Sequence, residues 1–542
     1  MLRMPTDAEW VASRVDDLPA KWGEDLVREW DARKGRDYYG ANVALREATK
    51  PYLLKPLPLD ASDVAICDAA ARHAERCFDL GLVFRDRRQL RASMERVCLG
   101  QGIETPKPKM RDDCAMARMT CPLWWRRRLR KSHGKAVEAA AIRLGRVSRK
   151  HDLYVSNEGL KARQQQNARN TETLEGTLAR NELGQEFTLA ELQAKSTANK
   201  RIRRCELMTR MSGFERYADE HGHSGQFITI TCPSRFHRYR TLRDGKLVVH
   251  NPNHDPACTP DVGQQYLTKI WSHMRAELSR EGVKVYGLRV VEPQHDGTPH
   301  WHALLFCEPG HVATLESIIR KHALKDSPDE RGAQEHRCDF KRIDKAKGTA
   351  TGYIAKYIAK NIDGEHVGMD LEGRPAVESA LRVEAWAARW GIRQFQQIGG
   401  PSVSVWRELR RLGKLDKTAP DCVKAACKAV NKTNSTSDDE STTGAAWDQY
   451  CEAQGGAFCG RKARIRLWRE DPESLGRYGD VQPPRPVGVW TNEASQAMAR
   501  VDRWEARSIR LKWEVLAGVT PARRERSAFA EVSDLCTLDL CQ

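Results

Sequence analysis

The chain has 542 residues and a formal net charge of +17, length enough for about three or four domains. Its pI of about 9.2 argues against a cationic partner and for a polyanion, nucleic acid first and membrane surface second; a basic protein without such a partner is the bland alternative. No apolar run is long enough to cross a bilayer and the N-terminus lacks an apolar signal core, so a cytoplasmic protein with no membrane partner is expected.

The 16 cysteines are scattered and form no CxxC pair. That usage fits free thiols in a reducing compartment better than a zinc site.

Residues 1–215 read as a mostly helical region with possible DNA-binding capacity. Apolar residues recur at helical spacing over 61–80 and 90–99. Pro106 and Pro108 mark a break. Trp124 and Trp125 then precede Arg126, Arg127, Arg128 and Arg130. They would either stack on bases and grip phosphates or form the apolar face of an amphipathic helix. A polar stretch over 156–204 reads as long helix with loops.

The pattern changes near Gly225. Residues 226–232 form a β-rich run stopped by Pro233. A helix is predicted over 263–280, strands over 283–291 and 301–306, and helices over 312–323 and 347–361. This mixture predicts an α+β domain built on an antiparallel sheet, over 216–414. Residues 415–445, with a polar low-complexity run at 431–444, read as a linker. Residues 446–542 read as a small basic C-terminal module, in which Arg464 and Arg466 alternate with Ile465 and Leu467 as on a half-exposed strand.

Two clusters carry chemistry. On a strand, His300 and His302 share a face and Trp301 points to the other. Asp296-Gly297 is a hairpin signal between this strand and the apolar strand before it. A symmetric loop from Pro293 to Pro299 places Glu292 opposite His300, about 5 Å away. Two imidazoles and a carboxylate suit Mg²⁺ or Mn²⁺ with positions left open for a phosphate oxygen. Gln294 and His295 are rival third ligands, ranked lower because they lie inside the loop. Histidines also alternate on strands by chance, so this spacing alone is weak. A second pair, His221 and His223, lies in a glycine-containing loop and reads as surface.

Tyr353 and Tyr357 are spaced four apart, which puts both hydroxyls on one helical face. Gly348 and Gly352 would let a DNA backbone approach. Lys356 and Lys360 each follow a tyrosine by three and would favour the phenolate or hold phosphates, a tentative DNA-binding role. The plain alternative is a helix with two packing tyrosines. Two tyrosines make sense for an enzyme that attacks a phosphodiester twice, once to open a strand and once to release it.

With these residues in view, the chain resembles the replication gene A proteins of tailed temperate phages, two-tyrosine rolling-circle initiators of the HUH endonuclease superfamily. The resemblance covers 207–412. It rests on the 227–234 strand, on 287–302 with Glu292, His300 and His302, on 347–361 with Tyr353 and Tyr357, and on the block from Trp386 to Arg411. It implies an HUH core with a central antiparallel sheet and flanking helices. It implies site-specific nicking of single-stranded or supercoiled origin DNA through a 5′-phosphotyrosine, metal dependence, and a host helicase and DNA polymerase acting downstream in a bacterial cell.

No GxxxxGK[ST] motif occurs, so unwinding would fall to another protein. Competing readings are a metal-dependent DNA phosphoesterase that hydrolyses, a plasmid-type initiator, relaxase or transposase of the same superfamily, and a DNA-binding protein without catalysis. Arg407, Arg410, Arg411 and Lys414 are spaced to form either a phosphate-binding stripe or a solvated face.

Overall fold

In the computed structural model of the chain, the structure describes residues 5–53, 57–242, 247–344, 346, 348–365, 368, 375–432, 445–472, 474–493 and 503–516. They divide into two compact units.

The first unit runs to Arg146 and includes 156–159 and 474–482. Its helices are α1 (Asp7–Val15), α2 (Ala20–Lys34), α3 (Tyr38–Thr49), α4 (Asp63–Val83), α5 (Arg87–Gly100), α6 (Asp112–Met119) and α7 (Pro122–Arg143). Ile66, Ala70, Ala74 and Cys77 on α4 meet Trp124, Trp125 and Leu129 on α7 in one core. Trp125 is fully buried and donates its indole N–H to the Met119 carbonyl at 2.7 Å. The two tryptophans are therefore packing residues, and no ring is left open to stack on a base. Two of the arginines after them serve the same packing: Arg130 pairs with Asp63 at 2.7 Å and Arg128 lies over Trp124.

The second unit holds 147–155, 160–473 and everything from Pro483 onward. In chain order it contains α8 (Asn157–Glu175), β1 (Leu178–Asn181), β2 (Glu186–Thr188), α9 (Leu189–Ala194), α10 (Lys200–Glu220), β3 (Ser224–Ile230), β4 (Tyr239–Leu242), β5 (Leu247–His250) and α11 (Pro260–Arg280). Then come β6 (Tyr286–Pro293), β7 (Pro299–Cys307), α12 (Val312–Ala323), α13 (Ala333–His336), β8 (Cys338–Arg342), α14 (Ala350–Ile362), α15 (Ala376–Trp390) and β9 (Phe395–Ile398). The last elements are α16 (Val403–Leu409), α17 (Asp421–Val430), α18 (Trp447–Ala453), β10 (Arg466–Glu470), β11 (Arg485–Thr491), β12 (Trp504–Arg507) and β13 (Trp513–Leu516).

The central sheet has the order β8-β3-β7-β6-β9, with each neighbouring pair antiparallel. Helices α10 and α14 cover one face, and α11 and α12 the other. The chain is thus α+β with a central antiparallel sheet, as its pattern predicts. Phe227, Leu288, Val290, Leu304 and Phe306 point into the α10–α14 layer. Alternation puts Trp301 on the opposite face, where its indole N–H meets Gln264 of α11 at 2.9 Å.

The expected division at 215, 414 and 446 differs from what the structure holds. Leu207, Met211 and Phe214 of α10 share one core with Val423 and Ala426 of α17, Trp447 of α18, Val489 of β11 and Trp504 of β12. Part of the expected linker is helix α17, because Val423, Ala426 and Val430 recur at helical spacing and bury one face. Most of the low-complexity run, 433–444, lies outside the described residues. The alternating Arg-Ile-Arg-Leu run does enter a strand, β10, which pairs with β11 at the edge of a three-stranded sheet β10-β11-β12. Residues 147–215, expected with the helical N-terminal region, mostly belong to the second unit.

Gly287 in β6 has φ +152, and a Cβ there would overlap the Leu304 carbonyl oxygen of β7. A Gly287→Ala chain must move one strand of the central pair. We expect it to lose about 2–3 kcal/mol in urea unfolding, the scale of overpacking next to backbone, with Gly310→Ala, which meets nothing within 4 Å, as the neutral comparison.

Candidate active site

The site is built on the β6–β7 hairpin. Its register pairs Glu292 with His300 and Pro293 with Pro299. The connecting loop is closed by backbone bonds from Gln294 N–H to the Thr298 carbonyl at 2.8 Å and from Gly297 N–H to the Gln294 carbonyl at 2.9 Å. Asp296 is buried. Its carboxylate accepts from the Thr298 N–H at 3.0 Å and lies 3.3 Å from His237 Nδ1. Burial alone would raise the Asp296 pKa, but His237 and Thr298 outweigh it and bring it to about 2. A second clamp comes from α15, where the fully buried Trp386 donates to the Gly297 carbonyl at 2.8 Å.

Glu292, His300 and His302 each offer one ligand atom, and these atoms lie within 4.8 Å of one another. His300 Nε2 and His302 Nε2 are 2.9 Å apart, and Glu292 Oε2 is 3.9 Å from His302 Nε2. On an octahedral cation with bonds of about 2.1 Å, adjacent ligands sit about 3.0 Å apart, so the imidazole spacing suits neighbouring positions on one ion. His302 Nδ1 is 3.1 Å from Thr229 Oγ1 on β3, which fixes the ring with Nε2 facing the group. Gln294 and His295 are not part of this group. The other such group among the described residues, Glu220, His221 and Glu452, is exposed, and His223 is turned to the Tyr286 hydroxyl at 2.9 Å.

The nucleophile candidates come from α14. Thr349 caps it by accepting from Gly352 N–H at 3.0 Å. Glu215 of α10 adds a carboxylate at the same end, accepting from Ala350 N–H at 2.6 Å and Thr351 N–H at 3.0 Å. A carboxylate there satisfies orphan donors and meets the positive end of the helix dipole. Ile354 and Ile358 are fully buried, each worth about 1.5–3 kcal/mol. They hold the helix face-down, so Tyr353 and Tyr357 lie half-buried beside them. The Tyr357 ring centroid is 4.3 Å from that of His302. Phe227 of β3 touches both tyrosines, at 6.4 Å from Tyr353 and 5.4 Å from Tyr357.

The two lysines separate. Lys360 is half-buried, lies 3.5 Å from Glu292 Oε2 and hydrogen-bonds the Tyr154 side chain. Lys356 is exposed and stands 6.0 Å from the Tyr357 ring. Burial pushes the Tyr357 pKa up, Glu292 adds to this, and Lys360 opposes it. The phenol is thus protonated at rest.

Several site residues have no marker in the sequence. Asn361 donates its side-chain N–H to Glu292 Oε1 and to the Tyr357 carbonyl. Tyr154 has the left-handed backbone φ +68, a strained conformation for a bulky residue. Its N–H reaches the His295 carbonyl at 3.4 Å. Gly297, itself at φ +83, leaves room for the Tyr154 carbonyl, since a Cβ would approach it to 3.1 Å. Arg382 of α15 donates to the Val155 carbonyl at 3.1 Å. Helical spacing located Tyr353 and Tyr357, but nothing local marks a tyrosine about two hundred residues upstream as their neighbour. The basic run after α16 also resolves: Arg407 is bidentate to Glu206, at 2.8 and 3.0 Å, and Arg411 pairs with Glu408 at 2.7 Å. It is not a continuous free stripe.

Burial lowers the pKa of both His300 and His302 to about 3, from an ordinary 6.5. The unfolded chain therefore binds protons that the folded chain does not between those values, so stability is full above pH 6.5 and falls as pH is lowered toward 3. In EDTA, urea unfolding at pH 7.5 and 5.5 should show a loss of roughly 1–3 kcal/mol from this pair, and a His300→Gln/His302→Gln chain should lose less over the same step.

The chain matches the family model described as bacteriophage replication gene A protein (GPA) over residues 91–365. It is 35% identical over 430 residues to the replication protein of Haemophilus phage HP1, covering 78% of this chain and 52% of that protein. It is 36% identical over 440 residues to the replication gene A protein of Escherichia phage 186, covering 79% and 61%. A probable replication endonuclease from a prophage-like region of Salmonella typhimurium is 32% identical over 382 residues, covering 70% and 46%. The chain thus spans about half to six tenths of these relatives' lengths. No solved structure matches it at a significant level. The family model covers half of the chain, including the hairpin and the tyrosine helix, and the chain belongs to the bacteriophage replication gene A protein family.

Proposed function

We propose that the second unit carries an HUH-type endonuclease site that nicks one DNA strand at a phage replication origin, stays joined to it through tyrosine, and so initiates and terminates rolling-circle replication. The observation that carries this reading is the Tyr357 ring lying 4.3 Å from His302, so that a candidate nucleophile and three candidate metal ligands face the same space. A hydrolase has no need of two tyrosines on that face. The printed names of the relatives, replication gene A protein and probable replication endonuclease, agree with it.

In this reading Glu292, His300 and His302 hold Mg²⁺ or Mn²⁺, which would neutralise a non-bridging phosphate oxygen and polarise the phosphorus. Tyr353 or Tyr357 attacks the phosphorus in line. The tyrosyl oxygen–phosphorus bond forms and the phosphorus–O3′ bond breaks. The phenol gives up its proton and the departing 3′ oxygen takes one. The bond energy stays in the 5′-phosphotyrosine, so the second tyrosine can open the regenerated junction while the free 3′-hydroxyl rejoins the first end. Lys360 balances the Glu292 charge and opposes the upward pull of that carboxylate on Tyr357. Exposed Lys356 is placed for a phosphate. Unwinding and synthesis fall to a host helicase and DNA polymerase, and the setting is the bacterial cytoplasm.

The test is a denaturing gel of protein mixed with labelled single-stranded and supercoiled origin DNA, with Mg²⁺, Mn²⁺ or EDTA. We expect a metal-dependent covalent band that disappears in Tyr353→Phe/Tyr357→Phe. Cleavage that survives the double substitution without a covalent band means a hydrolytic phosphoesterase instead.

Tyr154 supplies a second test. Tyr154→Phe keeps the ring and removes the hydroxyl that engages Lys360. Single-turnover adduct formation at saturating DNA should slow at least tenfold, the scale of one lost hydrogen bond of about 1.5–3 kcal/mol to a charged group, while DNA affinity is unchanged. Equal loss in affinity and rate would assign Tyr154 to DNA binding.

A further inference from the structure

Strand β9 is the edge of the central sheet next to β6. Across the sheet, Phe395 of β9 pairs with Val290, and Val290 pairs with His302. At about 4.8 Å per strand, this edge is about 5 Å from the strand of Glu292 and about 10 Å from that of His300 and His302, on the same face.

Around the edge stand more guanidinium groups than carboxylates. Arg203 of α10 lies over the Phe395 ring at 5.3 Å. Arg393 caps the edge by donating to the Phe395 carbonyl at 3.2 Å. Arg210 and Arg407 share a single carboxylate, Glu206. Glu384, the next nearest acid to Arg203, is already engaged by Arg163 and Lys200. Arg203 and Arg393 are exposed and have no carboxylate partner among the described residues. On the opposite face of the sheet, over Trp301 at 3.9 Å, Arg289 of β6 is 4% exposed and leaves its Nε without a hydrogen bond.

Such an arrangement is costly without an anion. Burial, with Arg393 adding to it, brings the Arg289 pKa down to about 10. Like charges gathered at a sheet edge oppose folding unless something negative binds there. Two exposed, planar donors in line with a nuclease site fit the phosphates of a nucleic-acid backbone, to which arginine binds bidentately.

Resting on the nicking reading for the identity of the polyanion, we propose that Arg203 and Arg393, backed by Arg210 and Arg407, form a backbone-binding track along the β9 edge that holds the single strand beside the cleavage site independently of its sequence. Phosphate contacts position a strand and carry no sequence information. The track therefore contributes affinity and salt dependence but not origin choice.

The test measures binding of a thymidine oligonucleotide, which lacks origin sequence, to the full chain over a series of NaCl concentrations. Each phosphate contact on a single strand contributes about 0.7 to the slope of log K against log salt. Arg203→Gln/Arg393→Gln should flatten the slope by about 1.4 and weaken binding most at low salt. Lys269→Gln/Lys284→Gln removes the same charge from two exposed lysines of the same unit and should leave the slope near wild type. Thermal unfolding checks that both variants are folded. An unchanged slope overturns the proposal, as does weaker binding at unchanged slope, an equal effect from the lysine pair, or no binding of this oligonucleotide by wild type. Covalent adduct formation at saturating origin DNA is measured alongside. If it is intact while the slope does not move, the track fails and the nicking reading stands; if no adduct forms while the slope moves, the reverse holds.

Discussion

The register of one hairpin governs the site. Side chains alternate along β6 and β7, so pairing Glu292 with His300 brings the carboxylate and both imidazoles to one face. A slip by one residue would send His300 and His302 into the α11–α12 layer and Trp301 into the tyrosine layer. The molecule defends this register from several directions. The Asp296 carboxylate and Thr298 close the loop, Trp386 reaches in from α15, and Gly287 lets the two backbones pass where no side chain fits. Trp301 itself adds to the defence, because its indole is tied to Gln264 on the far face.

The same sheet sets the position of the tyrosines. Helix α14 lies on the face that carries His302, with Ile354 and Ile358 as its buried stripe. Its N-terminus is held by Glu215 from α10 in addition to its own cap, Thr349. The candidate metal ligands and the two tyrosines therefore have separate supports that meet at Phe227 and His302. The charges are laid out just as sparingly. Glu292 answers to Lys360 and Asn361, and Tyr154 reaches Lys360 from a strained backbone position. Strain of that kind persists only where the surroundings fix it, here through the His295 carbonyl, Gly297 and Arg382.

What was legible in the sequence was whatever repeats or turns locally. The period of two marked β3, β6 and β7, the Asp-Gly turn placed Glu292 across from His300, and the i, i+4 spacing put Tyr353 and Tyr357 on one face of α14. The helix over 312–323 is α12 as it stands. What was hidden depends on long-range packing. Trp124 and Trp125 carry the same arginine-rich context whether they are stacking platforms or core, and only the contacts with α4 decide it. The expected boundaries failed to separate cores because α10, α17 and β11 bury their apolar faces together. The stretch 421–430, placed in the expected linker, is a helix whose apolar face joins that core for the same reason. Lys356 and Lys360 have identical local spacing, yet one is exposed and the other pairs with Glu292, since only the second lies over the hairpin.

Strand β1 sits between β2, its hairpin neighbour, and β13, the last strand described. This small sheet brings together an early and a late described segment of the second unit. Closing so long a loop costs chain entropy that grows with the logarithm of its length. During synthesis β1 and β2 emerge early, but the outer edge of β1 must wait for Trp513–Leu516 before its N–H and C=O groups find partners. Until then it is an open edge of the type that pairs with strangers. Strand β13 thus acts as a late seal, and before it arrives this edge of the nascent chain is open to misassembly.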